Sequence, residues 1–299
     1  MAGKGLKRKT TFDYVLLFGM LLFSIVTIYP FLNVLAISFN DAYDTIKGGI
    51  YLWPRKATLD NYTAIFKDSI LLVAFRNSVL RTVIGTITSV FCTTMMAYTL
   101  SRKDFIARRL FSLMFAITMY VSGGMIPGYL LMRSLGFFNT FRVYIIPGLI
   151  GAWNVFVIRS YIDGLPESIQ ESATIDGAND VSIFIRIVLP LCIPVLATVS
   201  LFVAVGHWNS WFDAYLYNNA RSELTTLQYE LQKILSVASV KVNSATDYQA
   251  FEALAKQSRV TPDSLKMAMS MVVTAPILMV YPFIQKYFVT GLTMGAVKN

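Results

Sequence analysis

The sequence predicts an all-α membrane protein with six transmembrane helices and a polar helix-turn-helix loop between the fourth and the fifth. Three observations predict it. Of 299 residues, 55% are hydrophobic and only 14% charged, and the mean hydropathy is +0.56, too apolar a balance for a soluble domain of this length. The apolar residues gather into six stretches of the length a bilayer-crossing helix needs, about 20 residues. Between two of those stretches, Leu165 to Pro194 forms a polar island, LPESIQESATIDGANDVSIFIRIVLPLCIP.

In chain order, the first span is expected from Tyr14 to Phe39, uncharged throughout. Asn40 to Ser69 come next, with Gly48-Gly49 and Trp53-Pro54 as turn signals between short apolar pieces, and read as a compact extracellular excursion. The second span lies between Arg81 and Arg102, with Arg76 and Asn77 at its outer end if it begins earlier. The third lies between Arg109 and Arg133, where Gly123-Gly124 and Pro127 interrupt the outer half and a broken helix can line a cavity. The fourth lies between Arg142 and Tyr161, and the fifth from Ile187 to Phe212. The long outer loop, about 214–266, holds an amphipathic helix marked by Leu227, Leu231, Ile234 and Leu235, then a second helical stretch at Tyr248–Lys256. That loop reads either as a lid on the outer membrane face or as a docking surface for an external protein. The last span runs from Met267 to Gln285, and Thr261-Pro262 before it gives an N-cap and an N1 proline, so its helix starts in the loop. Gly124-x3-Gly128 and Gly291-x3-Gly295 read as helix-packing features.

Orientation is set by lysine and arginine. The amino terminus (Lys4, Lys7, Arg8, Lys9) and the loop after the second span (Arg102, Lys103, Arg108, Arg109) are basic, which places both in the cytoplasm. Six spans then put the carboxyl terminus and the Leu165 loop there too. The net charge of +9 is thereby accounted for at membrane boundaries and gives no reason to expect nucleic acid. The first apolar run is too long for a cleaved signal peptide and has no small-residue cleavage site. Cys92 and Cys192 lie in separate apolar stretches and offer neither a disulfide framework nor metal spacing.

The polar island is built as two short helices around a sharp turn. Pro166 suits the first helical position and Glu167 complements the positive end of the helix dipole. Ile169, Ser172, Ala173 and Asp176 share one face, with Glu167 and Glu171 one turn apart on another. Gly177 is placed for a left-handed cap, after which Asn179 or Asp180 starts the next helix. Glu171, Ala173, Gly177, Ile187, Leu189 and Pro190 reproduce the EAA signature: EAA, three residues, Gly, nine residues, I-x-L-P. The chain therefore resembles the membrane subunits of bacterial ABC importers. Ser172 stands for the second alanine, small for small. In that family the loop, here about 163–190, is the coupling helix held by a cleft of the partner ATPase. The resemblance implies an ATPase-coupling set of Glu167, Glu171, Ser172, Ala173, Asp176, Gly177, Ile187, Leu189 and Pro190. Glu171 would meet a basic residue of the cleft, Ser172 and Ala173 would allow close approach, and Gly177 would make the turn.

The closing segment YPFIQKYFVTGLTMGAVKN, with LWP at Trp53 and Asn77-Ser78, is similar to maltose-type carbohydrate permeases, and nearest to the lipoprotein-linked subgroup of Gram-positive bacteria. What this resemblance implies is one transmembrane domain over residues 1–299, set in the bacterial cytoplasmic membrane. Its implied partners are a second homologous permease, an ABC ATPase dimer, an extracellular solute-binding protein, an oligosaccharide substrate and membrane lipids. The chain itself carries no G-x4-G-K-[ST] phosphate loop, and His207 is its only histidine. It is expected to be non-catalytic and to bind no cofactor, with ATP and magnesium held by the partner.

A polar solute needs polar or aromatic groups inside the bundle. Trp153 and Asn154 lie in the fourth span, and His207, Trp208, Asn209, Trp211, Asp213 and Tyr215 in GHWNSWFDAYLY at the end of the fifth. Indoles stack on sugar C–H faces and Asn or Asp pairs with hydroxyls, so one reading is a carbohydrate pathway. The other is an aromatic belt, since seventeen residues of helix after Pro190 reach the outer interface. The alternatives to a sugar importer are an importer for another solute and an ATP-independent carrier, the latter opposed by the scarcity of ionisable groups within the spans.

Overall fold

The computed structural model describes residues 10–238 and 260–296. The basic amino terminus, the stretch Tyr248–Lys256 and the last three residues lie outside them, as does the packing around the Gly291-x3-Gly295 pair. The described residues are helical, with one isolated bridge between Asn40 and Ala57. The helices are α1 (Thr11–Ser38), α2 (Ala42–Ile46), α3 (Asp60–Lys67), α4 (Ser69–Ser101), α5 (Arg108–Tyr120), α6 (Met125–Ser134), α7 (Ala152–Ile162), α8 (Glu167–Ile175) and α9 (Asp180–Ile183). They continue as α10 (Leu189–Leu191), α11 (Ile193–Asn209), α12 (Phe212–Asn218), α13 (Leu227–Ala238) and α14 (Pro262–Ala296). The chain divides into two compact units, residues 1–68 with 233–274 and residues 69–232 with 275–299.

In the first unit α1 buries none of its apolar window, which is what a helix solvated by lipid does. The excursion after it is compact, as its turn residues predict. Gly48 and Gly49 turn at φ +68° and +73°, and a knot of side chains holds the ends together. Asn61 Nδ2 donates to the carbonyls of Ser38 and Asn40, both at 3.0 Å, while Asn40 Nδ2 donates to Asp44 at 3.2 Å and Arg55 Nε to the same carboxylate oxygen at 2.9 Å. The Asn40 hydrogen bond, reinforced by Arg55, holds the Asp44 carboxyl below its ordinary pKa against the opposing effect of desolvation. Later in this unit Thr261 caps α14: its Oγ1 accepts from Ser264 N–H at 3.2 Å, and Thr261 N–H donates to Ser264 Oγ at 3.0 Å. The helix starts at Pro262, five residues before the expected span.

In the second unit α4 is the organising element, packed along α11 and α7. Its buried face is Asn77, Ser78, Arg81, Gly85, Ser89, Thr93 and Ala97, a stripe of small and polar residues at helical spacing, while Leu80, Val83, Ile84, Ile87 and Phe91 are exposed. That is the inverse of a soluble helix, and suits a solvent as apolar as leucine. At one end Ala97, Tyr98 and Leu100 join Val155, Ile158 and Ile162 of α7 and Ile183, Phe184, Val188 and Cys192 in a single apolar core.

Among the described residues three helices are long and apolar enough to cross a membrane alone, Thr11–Ser38, Ser69–Ser101 and Pro262–Val280, and two bent pairs bring the number to five if each is one span: 141–162 bent by 46° and 180–209 bent by 80°. The expected third span is broken where its glycines fall. α5 has 13 residues, about 20 Å of helix and short of the roughly 30 Å hydrocarbon layer; the chain then runs extended to Gly124 at φ +85° before α6. Gly124 and Gly128 have open space where a side chain would project, so within this chain they are not the packing pair the sequence suggested. The second span starts at Ser69, twelve residues before Arg81, so Arg81 is no boundary but a buried charge in mid-helix. In the long loop, the expected amphipathic helix is α13, with Leu227 and Leu231 buried and Ile234 and Leu235 half-buried.

Candidate functional site

The polar island folds as helix, turn, helix. α8 begins at Glu167 with Pro166 as the residue that caps it, one place earlier than the sequence reading put the proline. Gly177 takes φ +82°, and around it Ala178 N–H donates to the Ala173 carbonyl at 2.9 Å and Gly177 N–H to that of Thr174 at 3.0 Å. This pair of bonds is the Schellman cap, and the contact of Ala178 with the core beside Ala173 is its usual apolar companion. Asn179 Oδ1 then accepts from Ser182 N–H at 2.8 Å and starts α9.

The two sides of α8 differ in exposure. Glu167, Glu171, Ser172, Asp176 and Gly177 are exposed. Ala173 is not: it is 9% exposed and sits in this chain's own core with Ile183 and Val188. Of the face expected to approach a partner, Ile169, Ser172 and Asp176 stay exposed, while Ala173 is turned inward. A small side chain there lets α8 lie against its own core, and the carboxylate face remains outward. Ile187 and Leu189 are half-buried against the same core, and Pro190 is exposed. The I-x-L-P half of the signature thus ties the loop down.

Two features escaped the sequence reading. The basic residues after α4 hold the loop from outside: Arg102 Nη1 donates to Gln170 at 3.2 Å, its other nitrogens reach Asp104 at 3.3 Å and Asp180 at 3.4 Å, and Lys103 pairs with Glu167. With α8 they frame an open cleft of about 680 Å³ lined by Arg102, Lys103, Arg108, Gln170, Glu171 and Thr174 among others. Reading these cations only as orientation signals hid that use. Second, Phe184–Val188 is a π-helical turn, and the chain bends by 80° at Cys192. The available signal was Pro190 and Pro194, four apart: neither has an N–H to give the carbonyl one turn back, so the ladder opens twice in succession.

The second candidate set is dispersed. Asp213 is half-buried in an ion pair rather than a free hydroxyl partner: the buried Arg81, 2% exposed, donates through Nη1 and Nη2 to the two carboxylate oxygens at 3.1 and 2.5 Å. Asp213 Oδ1 also accepts from Ser210 Oγ at 3.0 Å and from Ala214 N–H at 2.9 Å, and the guanidinium lies 4.5 Å from the Tyr144 ring centre. Beside this pair, Asn77 Nδ2 donates to the carbonyls of Glu223 and Thr225 at 2.8 and 2.9 Å, and Ser78 Oγ accepts from Leu227 N–H at 2.9 Å. Trp208 is buried with Phe75 edge-on at 6.4 Å. His207 abuts Gly85 so closely that a Cβ there would lie 2.5 Å from its Nε2. Trp211 is half-buried, edge-on to Phe212 at 5.6 Å. Trp153, Asn209 and Tyr215 are exposed, and Asn154 is half-buried near Gly151. Structural packing accounts for Trp208 and Asp213.

Comparison with known proteins agrees with this geometry. Over 96% of its length the chain is 38% identical to the polygalacturonan/rhamnogalacturonan transport system permease protein YtcP of Bacillus subtilis, covering 98% of that protein. It is 37% identical to the protein LplC of the same organism, over 92% of this chain and 90% of that one. Among solved structures it superimposes with a TM-score of 0.83 at 27% identity on a chain from a bacterial ABC transporter involved in the import of the acidic polysaccharide alginate, covering 96% of this chain and all of that one. Residues 70–294 match the model of the binding-protein-dependent transport system inner membrane component. The chain belongs to that family, and is an integral-membrane permease subunit of an ABC importer.

Proposed function

We propose that this chain carries oligosaccharides across the bacterial cytoplasmic membrane as one of two related permease subunits, driven by a separate ABC ATPase dimer and supplied by an extracellular solute-binding protein. The observation that carries the reading is the outward acidic face of α8: Glu167 and Glu171, one turn apart, stand exposed on a helix whose Ala173 side is seated in the core, and whose exit is fixed by a left-handed glycine. A docking helix must offer charge to its partner while passing force into its own body. The count reaches six if the broken α5–α6 segment is one crossing beside the three long helices and the two bent pairs. Both termini and the α8–α9 turn then lie in the cytoplasm. ATP and magnesium belong to the partner, and this chain binds neither. The sugar assignment rests on the relatives, one named for polygalacturonan and rhamnogalacturonan and one involved in the import of alginate. Closure of the ATPases would stabilise one arrangement of the spans over the other, the only way a nucleotide can drive such a switch.

The test is site-directed cross-linking from Glu171→Cys in the complete assembly, with the captured neighbour identified by mass spectrometry. Capture of a nucleotide-hydrolysing subunit is expected. Labelling by a membrane-impermeant reagent from outside the cell overturns the reading. A binding screen of the companion extracellular protein against pectic and alginate oligosaccharides, amino acids and peptides tests the solute class separately.

A further inference from the structure

The first excursion is folded back along the helix it leaves. α1 has 28 residues, about 42 Å at 1.5 Å per residue, against a hydrocarbon layer of about 30 Å. Centred on the bilayer, its end at Ser38 lies about 21 Å from the midplane, and Asn33, five residues earlier, about 14 Å. Asn33 is therefore level with the edge of the hydrocarbon, which is about 15 Å from the midplane. Its Nδ2 donates to the carbonyls of Ile50 and Tyr51 at 2.8 and 2.9 Å. These bonds draw the strand of loop after Gly49 down to that depth and satisfy two carbonyls that have no water there. The next side chains along the loop are exposed and apolar: Tyr51 66%, Leu52 50% and Trp53 82%. The exposed cations Lys47 and Lys56 flank them.

We propose that Tyr51, Leu52 and Trp53 are a membrane-interface anchor, seated at the boundary of headgroups and acyl chains beside the carboxyl end of α1. Asn33 ties the patch to the carboxyl end of α1, whose apolar window buries nothing within this chain. Tyrosine and tryptophan, each an apolar ring with a polar edge, concentrate at this depth, and Lys47 and Lys56 meet the phosphates above it. The anchor sets how deeply α1 sits and keeps the excursion against the membrane.

The full-length chain is reconstituted in vesicles of phosphatidylcholine and phosphatidylglycerol with and without bromine on the upper acyl chain. The emission of Trp53 is obtained as the difference between the native chain and Trp53→Phe, a change at an exposed side chain. A blue-shifted difference spectrum that loses about half its intensity to the brominated lipid and little to aqueous acrylamide is expected of an indole at the interface. In Asn33→Leu, with the tether removed, the difference spectrum should move toward the red and become open to acrylamide. A water-like emission in the native chain, quenched by acrylamide and blind to bromine, overturns the anchor. So does shielding that appears only when a solute-binding protein is added, which reassigns the patch to protein docking.

Discussion

Gly177 is the residue on which the α8–α9 turn can be tested with least ambiguity. An added Cβ meets no atom of this chain within 4 Å, so the resistance that the chain itself offers to a substitution comes from the backbone at φ +82°. For an L-residue the left-handed region costs about 1–2 kcal/mol, with β-branched residues at the upper end and asparagine well tolerated. Such a cost shifts the population of the native turn by about 5- to 30-fold, because escaping the strain breaks the bonds from Ala178 to Ala173 and from Gly177 to Thr174. Gly177→Val should therefore raise the ATP hydrolysed per solute imported several-fold in proteoliposomes holding the complete assembly, with the chain still inserted in the membrane. Gly177→Asn, similar in bulk, should stay near the native ratio. Equal loss in both variants, or native coupling in Gly177→Val, would refute the backbone argument.

Ala173→Asp places a carboxylate in the chain's own core, at a cost of several kcal/mol unless it stays protonated. It should lower the melting temperature in detergent and the membrane yield, whereas Glu171→Gln should leave both unchanged. Arg81→Met and Asp213→Asn each remove one partner of a partly buried pair, at a cost of about 1.5–3 kcal/mol for the charged hydrogen bonds lost; the double variant should melt above either single one, and strictly additive losses would disprove the coupling. Asp44 has a depressed pKa in the folded chain, so its contribution is complete above the unfolded carboxylate value of about 3.9 and is lost as the pH falls through the lower folded value. Hydrogen exchange in residues 40–60 should accelerate in that acid range, and Asp44→Asn should abolish the pH dependence.

The long apolar helices and the α8–α9 turn were legible because their signals are local. Length and hydropathy mark α1, glycine is the residue best suited to φ +82°, and Thr261-Pro262 is a cap-and-proline helix start. The burial of Ala173 was not legible, since a small residue reads alike whether it accommodates its own core or a partner. Nor was the Arg81–Asp213 pair, whose members stand 132 residues apart and come together only when α4 packs on the segment after α11. An arginine at the edge of an apolar run looks like a boundary until the turns before it are seen to be helix as well. Trp208 stayed open for a related reason: an aromatic near the end of a span suits a pathway, a belt or a core, and it is the burial against Phe75 that favours the core.

The bend at Cys192 gives the chain a mechanical ratio. Its short arm, Asp180 to Leu191, is about 18 Å long and its long arm, Ile193 to Asn209, about 25 Å. The elbow itself is packed solid, with Cys192 and Val188 fully enclosed. If the two arms turn as one piece about that elbow, a displacement of about 1 Å at the near end becomes a rotation of about 3° and a sweep of about 1.4 Å at the far end, by the arm lengths alone. A straight helix of the same residues would only slide along its axis. The crooked one works as a bell-crank, turning a push parallel to the membrane into a tilt across it.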